Sequence, residues 1–305
     1  MASKYGIAAQ PASYSFDTIG DVTERVGFKS IVVATDFSGA AEKGLRYAIE
    51  IARRYSAMLH VVHILGPAVY PYAPTSAWPD LAEQDRITRE ESKAKLEEQL
   101  RAVRHELIFQ GGEVYATLNE LARDKQADLI VLGTHGRSGL EKVLMGSVAE
   151  RIFREARFPV MTVGPKVGEK SRTTAELSRI LYATDFSAES LHAAPLAISL
   201  ARENRAHLIL LNCFEGGEDG IQAMLQGLRQ LVPFGAELRC EPICIVERGP
   251  HGQKILDVAQ SHGADLIVLG VDGASKGLVH NTRFHSSALY KIVTQATCPV
   301  LTVRA

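Results

Sequence analysis

Residues 127–147 read ADLIVLGTHGRSGLEKVLMGS, and this stretch decides the fold. An apolar run ends at Gly133, Gly136 follows three positions later, and Gly146-Ser147 comes after nine further residues. Continuous apolar runs are typical of parallel strands that are buried on both faces. Glycines at the end of such a strand let the backbone turn sharply and approach a ligand closely. The next segment, VAERIFREA, has the apolar period of a helix, so the stretch predicts a strand, glycine turns and a helix.

This order of elements also indicates a class of ligand. The N-terminus of a helix presents free N–H groups and the positive end of the helix dipole, which favours a phosphate. Two common nucleotide motifs, GxxxxGK[ST] and GxGxxG, are absent from the chain. The glycine pattern therefore predicts a phosphorylated ligand held in a different way.

The chain is an internal repeat. Three segments occur twice in the same order: ATDFS at 34–38 and 183–187, ADLIVLG at 127–133 and 264–270, and FPVMTV at 158–163 answered by CPVLTV at 298–303. Each copy has the length of an ordinary domain. The predicted organisation is an N-terminal leader at 1–28, a first domain at 29–165, a linker at 166–178 and a second domain at 179–305.

Composition excludes several classes of protein. The hydrophobic fraction of 46% suits two ordinary cores, and the net charge of -1 gives no electrostatic case for a nucleic-acid partner. No apolar stretch approaches the ~18 residues of a membrane helix, and the N-terminus lacks the apolar region of a signal peptide. We therefore expect a cytoplasmic protein with no membrane partner.

The cysteines do not form a metal motif. All four lie in the second half, at 213, 240, 244 and 298, without a CxxC pair. Cys240 and Cys244 could share a strand face, but two ligands make a poor zinc site. The pattern favours buried free thiols in a reducing compartment over a metal site.

Strands and helices alternate along both halves. In the first half, KSIVVATDFS predicts a strand that ends at Asp36, a long charged helix follows from about Leu81 to Leu107, and EVYATL predicts a short strand. Such alternation with apolar strands predicts a parallel sheet with helices on both faces. Ligands bind such sheets at the carboxyl ends of the strands. Asp36 and Gly133 lie at such ends, although Asp36 could instead be only the N-cap of the next helix.

These residues resemble the universal stress protein family. The resemblance runs from about Lys29 to Ala305 as two tandem domains, and Gly133, Gly136, Gly146 and Ser147 match the Gly-x2-Gly-x9-Gly-(Ser/Thr) pattern of its nucleotide-binding members. It implies an α/β fold of Rossmann-like, adenine nucleotide alpha hydrolase-like domains, each with a five-stranded parallel sheet in the order 3-2-1-4-5. It also implies ATP as the ligand, alone or with Mg²⁺.

The resemblance assigns roles to individual residues. Asp36 would face the adenine edge and Ile64 would pack on the base, while backbone N–H groups of the glycines would reach the ribose and phosphates. Arg137 would add charge-assisted contacts. The ATP-binding residues implied in this way are Ala34, Thr35, Asp36, Ile64, Gly133, Gly136, Arg137, Gly146, Ser147 and Val148. No catalytic or metal-binding residue is assigned.

Two departures from the family pattern stand out. In the second half, Gly270 and Gly273 are kept, but Ser286-Ser287 stands opposite Gly146-Ser147, with three extra residues before it. We therefore expect this half not to bind ATP in the same manner. In the first half, Gly111 to Ala127 spans 16 positions where Gly235 to Ala264 spans 29. The comparison predicts a shortened third strand and third helix in the first domain.

The resulting hypothesis is a protein that binds ATP in its first domain and has a sensing or regulatory role in the stress response. The alternatives are a slow ATPase or phosphoryl-transfer enzyme, for which no positioned base stands out, and a nucleotide-free scaffold. The closing strands PVMTV and PVLTV are apolar, which favours pairing of their exposed edges. The family resemblance implies that they pair antiparallel, so we expect a pseudo-dimer within the chain. The sequence leaves further association into a homodimer open.

Overall fold

The structure, a computed structural model, describes residues 27–65, 78–134, 147–168, 176–214, 217, 220–232, 236, 238–271 and 286–304. Strands and helices alternate along this part of the chain. Its strands are β1 (Ser30–Ala34), β2 (Met58–Leu65), β3 (His105–Gly111), β4 (Leu129–Gly133), β5 (Val160–Val163), β6 (Arg179–Ala183), β7 (His207–Phe214), β8 (Ile243–Arg248), β9 (Leu266–Val271) and β10 (Val300–Arg304). Its helices are α1 (Gly39–Tyr55), α2 (Trp78–Leu100), α3 (Val114–Asp124), α4 (Ser147–Glu155), α5 (Ala188–Leu191), α6 (Ala194–Asn204), α7 (Ile221–Gln230), α8 (His251–Ser261) and α9 (Ser286–Gln295).

The described strands form one ten-stranded sheet in the order β3-β2-β1-β4-β5-β10-β9-β6-β7-β8. Neighbouring strands pair parallel inside each half. Each half therefore has the predicted order 3-2-1-4-5, and the α/β fold class is confirmed. Because parallel strands end at the same edge, β1, β2 and β4 of the first half bring their carboxyl ends together.

The two halves meet where β5 and β10 pair antiparallel, as the sequence predicts for the closing strands. Thr162 faces Val300, Met161 faces Leu301, and Val160 faces Thr302. All four residues of β5 are buried. The pairing merges the two sheets, and one core cluster contains residues from both halves.

Helix α1 shows how local sequence and burial agree. Ser38 is its N-cap, because the Ser38 side chain accepts a hydrogen bond from the N–H of Ala41 at 3.2 Å. Leu45, Ala48 and Ala52 lie on one face of the helix and are buried. This packing places the first turn of α1 against the carboxyl end of β4.

The expectation of a shortened third strand and helix in the first domain is wrong. Strand β3 has 7 residues and α3 has 11, against 6 and 11 for β8 and α8. The true counterpart of Gly249 is Gly112: both have positive φ, at 127° and 147°, and each lies fifteen positions before the alanine of ADLIVLG. Aligning Gly111 with Gly235 created the apparent gap.

Two neighbouring elements also differ from the prediction. The charged helix ends at Leu100 rather than at Leu107, because β3 begins at His105. EVYATL is not a strand but the start of α3, where the Glu113 carboxylate accepts hydrogen bonds from the N–H groups of Tyr115 and Ala116. This cap and the tertiary burial of a helical face override the β-propensity of Val, Tyr and Thr.

Residues 1–26 of the predicted leader lie outside the described residues, but Phe28 is buried in the core. The cysteines differ in part from expectation. Cys213 and Cys298 are buried as expected, whereas Cys240 is exposed and Cys244 is half-buried. Since β8 begins at Ile243, Cys240 precedes the strand and cannot share a strand face with Cys244.

Candidate functional site

The predicted site lies at the carboxyl ends of β1, β2 and β4, where the segment ATDFS forms a tight turn. The N–H of Thr35 donates to the carbonyl of Val62 on β2 at 2.9 Å. The Thr35 hydroxyl accepts from the N–H of Phe37 at 3.1 Å, and a carboxylate oxygen of Asp36 accepts from the N–H of Ser38 at 2.9 Å. Phe37 has φ of 62°, which is uncommon for a non-glycine residue and is held here by these bonds. Strand β1 itself ends at Ala34.

This turn excludes the N-cap role that the sequence left open for Asp36. Ser38, not Asp36, is the N-cap of α1. The Asp36 carboxylate braces the turn from outside the helix and is half-buried at the strand edge. Its position therefore has a local structural reason that does not depend on capping.

The second half builds the same turn. Thr184 N–H donates to the Leu211 carbonyl at 2.9 Å, and Phe186 has φ of 61°. The Asp185 carboxylate accepts from the N–H of Ser187 at 3.0 Å and from its hydroxyl. The repeated letters ATDFS thus encode a repeated backbone turn in both halves.

His63 has a structural role at this edge, where it supports the turn. Its Nδ1–H donates to the carbonyl oxygen of Thr35 at 2.7 Å, since a carbonyl can only accept. The imidazole lies between the rings of Phe37 and Phe109, with centroid distances of 4.7 and 5.8 Å. In the second half, the Asn212 amide donates to the Thr184 carbonyl at 2.8 Å in the same way. A polar residue one position before Ile64 and Cys213 in both copies is the signal that could have revealed this role.

Ala34 and Ile64, both predicted to line the adenine, come together in the structure. Both are half-buried and pack against one hydrophobic cluster that includes Val32, Val62 and Leu132. The edge of the first half therefore offers an apolar wall beside the Asp36 turn.

Gly133 is the last residue of β4, and packing alone requires a glycine there. A Cβ atom at this position would lie 2.7 Å from the backbone carbon of Ala40 in the first turn of α1. Gly270 is even tighter, with a Cβ 2.3 Å from the carbonyl oxygen of Glu189. This explains why ADLIVLG ends in glycine in both halves. The predicted role of Gly133 in approaching a ligand would therefore add to a helix-packing role.

The remaining predicted residues lie partly outside the described chain. Gly136, Arg137 and Gly146 fall in 135–146, which the structure does not describe. Helix α4 begins at Ser147, as predicted, and for Ser147 and Val148 only the backbone is described. The start of α4 therefore carries the free N–H groups of a helix N-terminus directly after the glycine motif.

The register of the strands confirms the three-residue insertion in the second half. Ile130 on β4 pairs with Val160 on β5, thirty positions on. The corresponding pair in the second half, Ile267 and Val300, is thirty-three positions apart. The extra residues therefore lie between β9 and β10, in the connection that replaces the glycine motif.

Side chains at the edge of the second half differ from those of the first. Cys213 and His251 occupy the positions of Ile64 and Val114, and the ring nitrogen Nε2 of His251 donates to the Cys213 carbonyl at 3.1 Å. Both residues are buried. Burial raises the pKa of the Cys213 thiol to about 12, with the negative charge of Glu247 adding to the effect. A buried thiol and a buried imidazole thus lie where the first half has the aliphatic side chains of Ile64 and Val114.

Polar and charged side chains near β3 and α3 make two sets of structural contacts. His60 bonds to the carboxylate of Glu106 at 2.8 Å, and Lys125 bonds to the same carboxylate at 2.8 Å. The hydrogen bond from Lys125 is the main reason that the pKa of Glu106 is lowered. Arg151, in the second turn of α4, lies 4.2 Å over the ring of Tyr115 and ties α4 to α3.

Outside the gaps in the description, no group of three or more His, Cys, Asp or Glu side chains is arranged to hold a metal ion. Within the same ranges, no helix has both the length and the apolarity needed to cross a membrane.

A doubly wound parallel sheet of order 3-2-1-4-5, present twice and joined through its last strands, defines a class of tandem Rossmann-like proteins. The universal stress protein family model matches residues 27–164 and again residues 176–304. The chain therefore belongs to the universal stress protein family, as two tandem copies. Membership supports a role in the stress response.

Individual relatives agree with this assignment. A universal stress protein of Methanocaldococcus jannaschii is 31% identical over 45% of this chain and 82% of its own length. Universal stress protein A homolog 1 of Coxiella burnetii is 32% identical over 46% of this chain and 98% of its own length. The crystal structure of a universal stress protein from Archaeoglobus fulgidus covers 90% of this chain and 98% of its own, with a TM-score of 0.69 at 20% identity, and supports the fold alone.

Proposed function

We propose that the first half of the chain binds ATP at the carboxyl edge of β1, β2 and β4, and that this binding serves a regulatory role in the cytoplasmic stress response. The observation that carries the proposal is the spacing of Gly133, Gly136 and Gly146-Ser147, which ends where α4 begins. The resemblance to nucleotide-binding members of the family supports the same ligand. A phosphate at this helix start would be stabilised by free N–H groups and the helix dipole.

The described residues supply parts of a nucleotide site. The wall formed by Ala34 and Ile64 suits the face of a purine base. The Asp36 carboxylate, fixed by the N–H of Ser38, lies on the turn next to that wall and suits an exocyclic amine. When bound, ATP would place its phosphates toward the glycine motif and the start of α4.

We propose that the second half does not bind ATP in the same manner. It keeps the turn around Asp185, but buried Cys213 takes the place of Ile64 in the apolar wall. The connection before α9 is three residues longer and has no counterpart of Gly146. Ser286 lacks the close backbone approach that Gly146 allows. Titration is expected to give a single nucleotide per chain, and two equivalent sites would contradict the proposal.

A pair of matched variants tests the site. Gly136→Val puts a branched side chain on the predicted phosphate path, and Gly273→Val makes the same change at the equivalent position of the second half. Isothermal titration calorimetry is expected to show loss of ATP binding in Gly136→Val and unchanged binding in Gly273→Val. Unchanged affinity in Gly136→Val would overturn the assignment. Mass spectrometry of small molecules released from the purified protein gives an independent check of the ligand.

A further inference from the structure

The junction between the halves has pseudo-twofold symmetry, and a constant shift of numbering reveals it. Ser38 and Ser187 both cap the first helix after ATDFS, so residues of α1 correspond to residues of α5 and α6 that lie 149 positions later. Two contacts across the junction have this separation. The Asn204 amide donates to the Tyr55 hydroxyl at 3.2 Å, and the Arg54 guanidinium donates to the Glu203 carbonyl at 3.4 Å. Equivalent positions that touch each other lie on the symmetry axis.

The strands at this junction are symmetric in sequence as well as in geometry. The Thr162 hydroxyl donates to the Val300 carbonyl at 3.2 Å, and the equivalent Thr302 hydroxyl donates to the Val160 carbonyl at 3.3 Å. Since both halves offer the same groups, two first halves or two second halves could form this strand pair equally well. The strand pairing therefore does not discriminate between like and unlike halves.

The helices at the junction are unlike. The large Tyr55 meets the small Asn204, and the Tyr55 ring is held edge-on by Phe28 at 5.3 Å. Two tyrosines at this place would overpack the axis, and two asparagines would leave a gap. The Arg54 guanidinium of α1 lies against the Glu203 backbone of α6, while the Glu203 carboxylate lies 3.6 Å from Arg202 of its own helix. A pair of first halves would instead bring two Arg54 guanidinium groups together.

We propose that the contact between α1 and α6, centred on these two residue pairs, is a recognition surface that accepts a first half opposite a second half and rejects like halves. The partner that this surface fits is the second half of the same chain or of another copy. Two copies of the chain can therefore join through this surface only by exchanging halves, so that each junction stays unlike. The symmetric strands supply the pairing, and the unlike helices supply its specificity.

The test removes the covalent link, because a linker raises the effective concentration of the two halves for each other. A protease site is inserted after Lys170, the folded full chain is cut, and the cut protein is unfolded in urea and refolded by dilution. Native mass spectrometry then separates the three possible pairs by mass. Unlike pairs are expected to exceed like pairs by about tenfold, whereas random pairing would make half of all pairs unlike.

Two variants in the chain serve as matched controls. Arg54→Glu with Tyr55→Asn gives the first half the residues of the second, so all pairs become equivalent and the distribution should approach random. Adding Glu203→Arg and Asn204→Tyr exchanges the two faces and should restore the excess of unlike pairs. A random distribution for the unaltered sequence, or no recovery in the exchanged variant, overturns the proposal.

A second measurement covers the case in which cut protein does not refold. In the uncut chain, the thermal midpoint should fall in the Arg54→Glu/Tyr55→Asn variant and recover when Glu203→Arg and Asn204→Tyr are added. If the fourfold variant is less stable than the double variant, the contact does not depend on complementarity and the proposal is wrong.

Discussion

The carboxyl edges of the two halves share one backbone frame but differ in the side chains and in the connecting segment around it. The frame comprises the ATDFS turn, with its phenylalanine at positive φ, and the glycine packed on the following helix. Around this frame, the first half has Ile64 and a glycine motif, whereas the second has Cys213 and a connection three residues longer. The residues that the repeats share are those that backbone packing requires.

This difference separates two kinds of glycine that look alike in the sequence. Gly133 and Gly270 have no space for a Cβ atom, so the fold explains them in both halves. Gly146, in the connection directly before α4, has no counterpart in the second half, whereas Gly136 is kept there as Gly273. A motif shared by both repeats therefore indicates the fold, and a motif present in one repeat is the better indicator of binding.

The largest expected difference between the halves is their response to alkaline pH, because all four cysteines lie in the second half. Burial raises the thiol pKa from 9.0 to about 12 for both Cys213 and Cys298, and raises the pKa of the Tyr182 hydroxyl as well. Unfolded thiols ionise above 9.0 while the folded thiols stay protonated, so the stability present below 9.0 is lost as pH rises toward 12. The loss should amount to several kcal/mol over this range.

Urea unfolding at a series of pH values from neutral to about pH 11 measures this loss. Cys298→Ala should flatten the pH dependence while lowering stability at neutral pH. If the slope is unchanged in that variant, the buried thiol is not its source.

The packing glycines should show the next largest effect. Gly270→Ala places a Cβ 2.3 Å from the carbonyl oxygen of Glu189, and Gly133→Ala places one 2.7 Å from the backbone of Ala40. Each should lower the free energy of unfolding by about 3 kcal/mol, since backbone must move to relieve the clash. Gly39→Ala is the control, because nothing lies within 4 Å of a Cβ added there. Equal stability of all three variants would remove the packing explanation for the repeated glycine.

Substitutions at the equivalent residues Asp36 and Asp185 should separate the effect on stability from the effect on ATP binding. Asp36→Ala and Asp185→Ala each remove the acceptor for a serine N–H, so each should cost about 1 kcal/mol of stability. Only Asp36→Ala should also weaken ATP binding, by about tenfold or more, because a charged hydrogen-bond partner of the base is lost. Calorimetry and urea unfolding measure the two effects separately. Equal loss of ATP affinity in both variants would show that the second half contributes to the site.

The smallest effect is expected when His63, which supports the first turn, is replaced by the asparagine that supports the second turn. His63 and Asn212 donate to equivalent carbonyls, those of Thr35 and Thr184. His63→Asn should therefore change the free energy of unfolding by less than about 1 kcal/mol, while His63→Ala, which leaves the carbonyl without this donor, should cost more. Thermal unfolding of the two variants gives the comparison. An equal cost for both would show that ring contacts, not the hydrogen bond, are the important part.

Much of the fold could be predicted from the sequence because most patterns of the first half have a counterpart in the second half that supports the same assignment. The apolar runs before Thr35, Gly133 and Val163 predict buried parallel strands, and their counterparts in the second half confirm the order. The start of α4 at Ser147 follows from the glycine that precedes it. The third strand and helix were wrongly assigned because Gly111 was aligned with Gly235. Short segments such as EVYATL suit a strand or a helix, and their surroundings decide between the two.

By itself, the sequence determined the two halves, their α/β class, the apolar closing strands and the position of the candidate nucleotide edge, while the antiparallel pairing was implied by the family resemblance. These follow from local periodicity and from residues whose backbone requirements are strict. Only the tertiary structure decided that Ser38 rather than Asp36 caps α1, that His63 supports the turn, that Gly133 packs on a helix, and that Tyr55 meets Asn204 on the axis between the halves. Each of these depends on atoms that lie far apart in the chain, and such distances are set by packing rather than by neighbouring residues in the sequence.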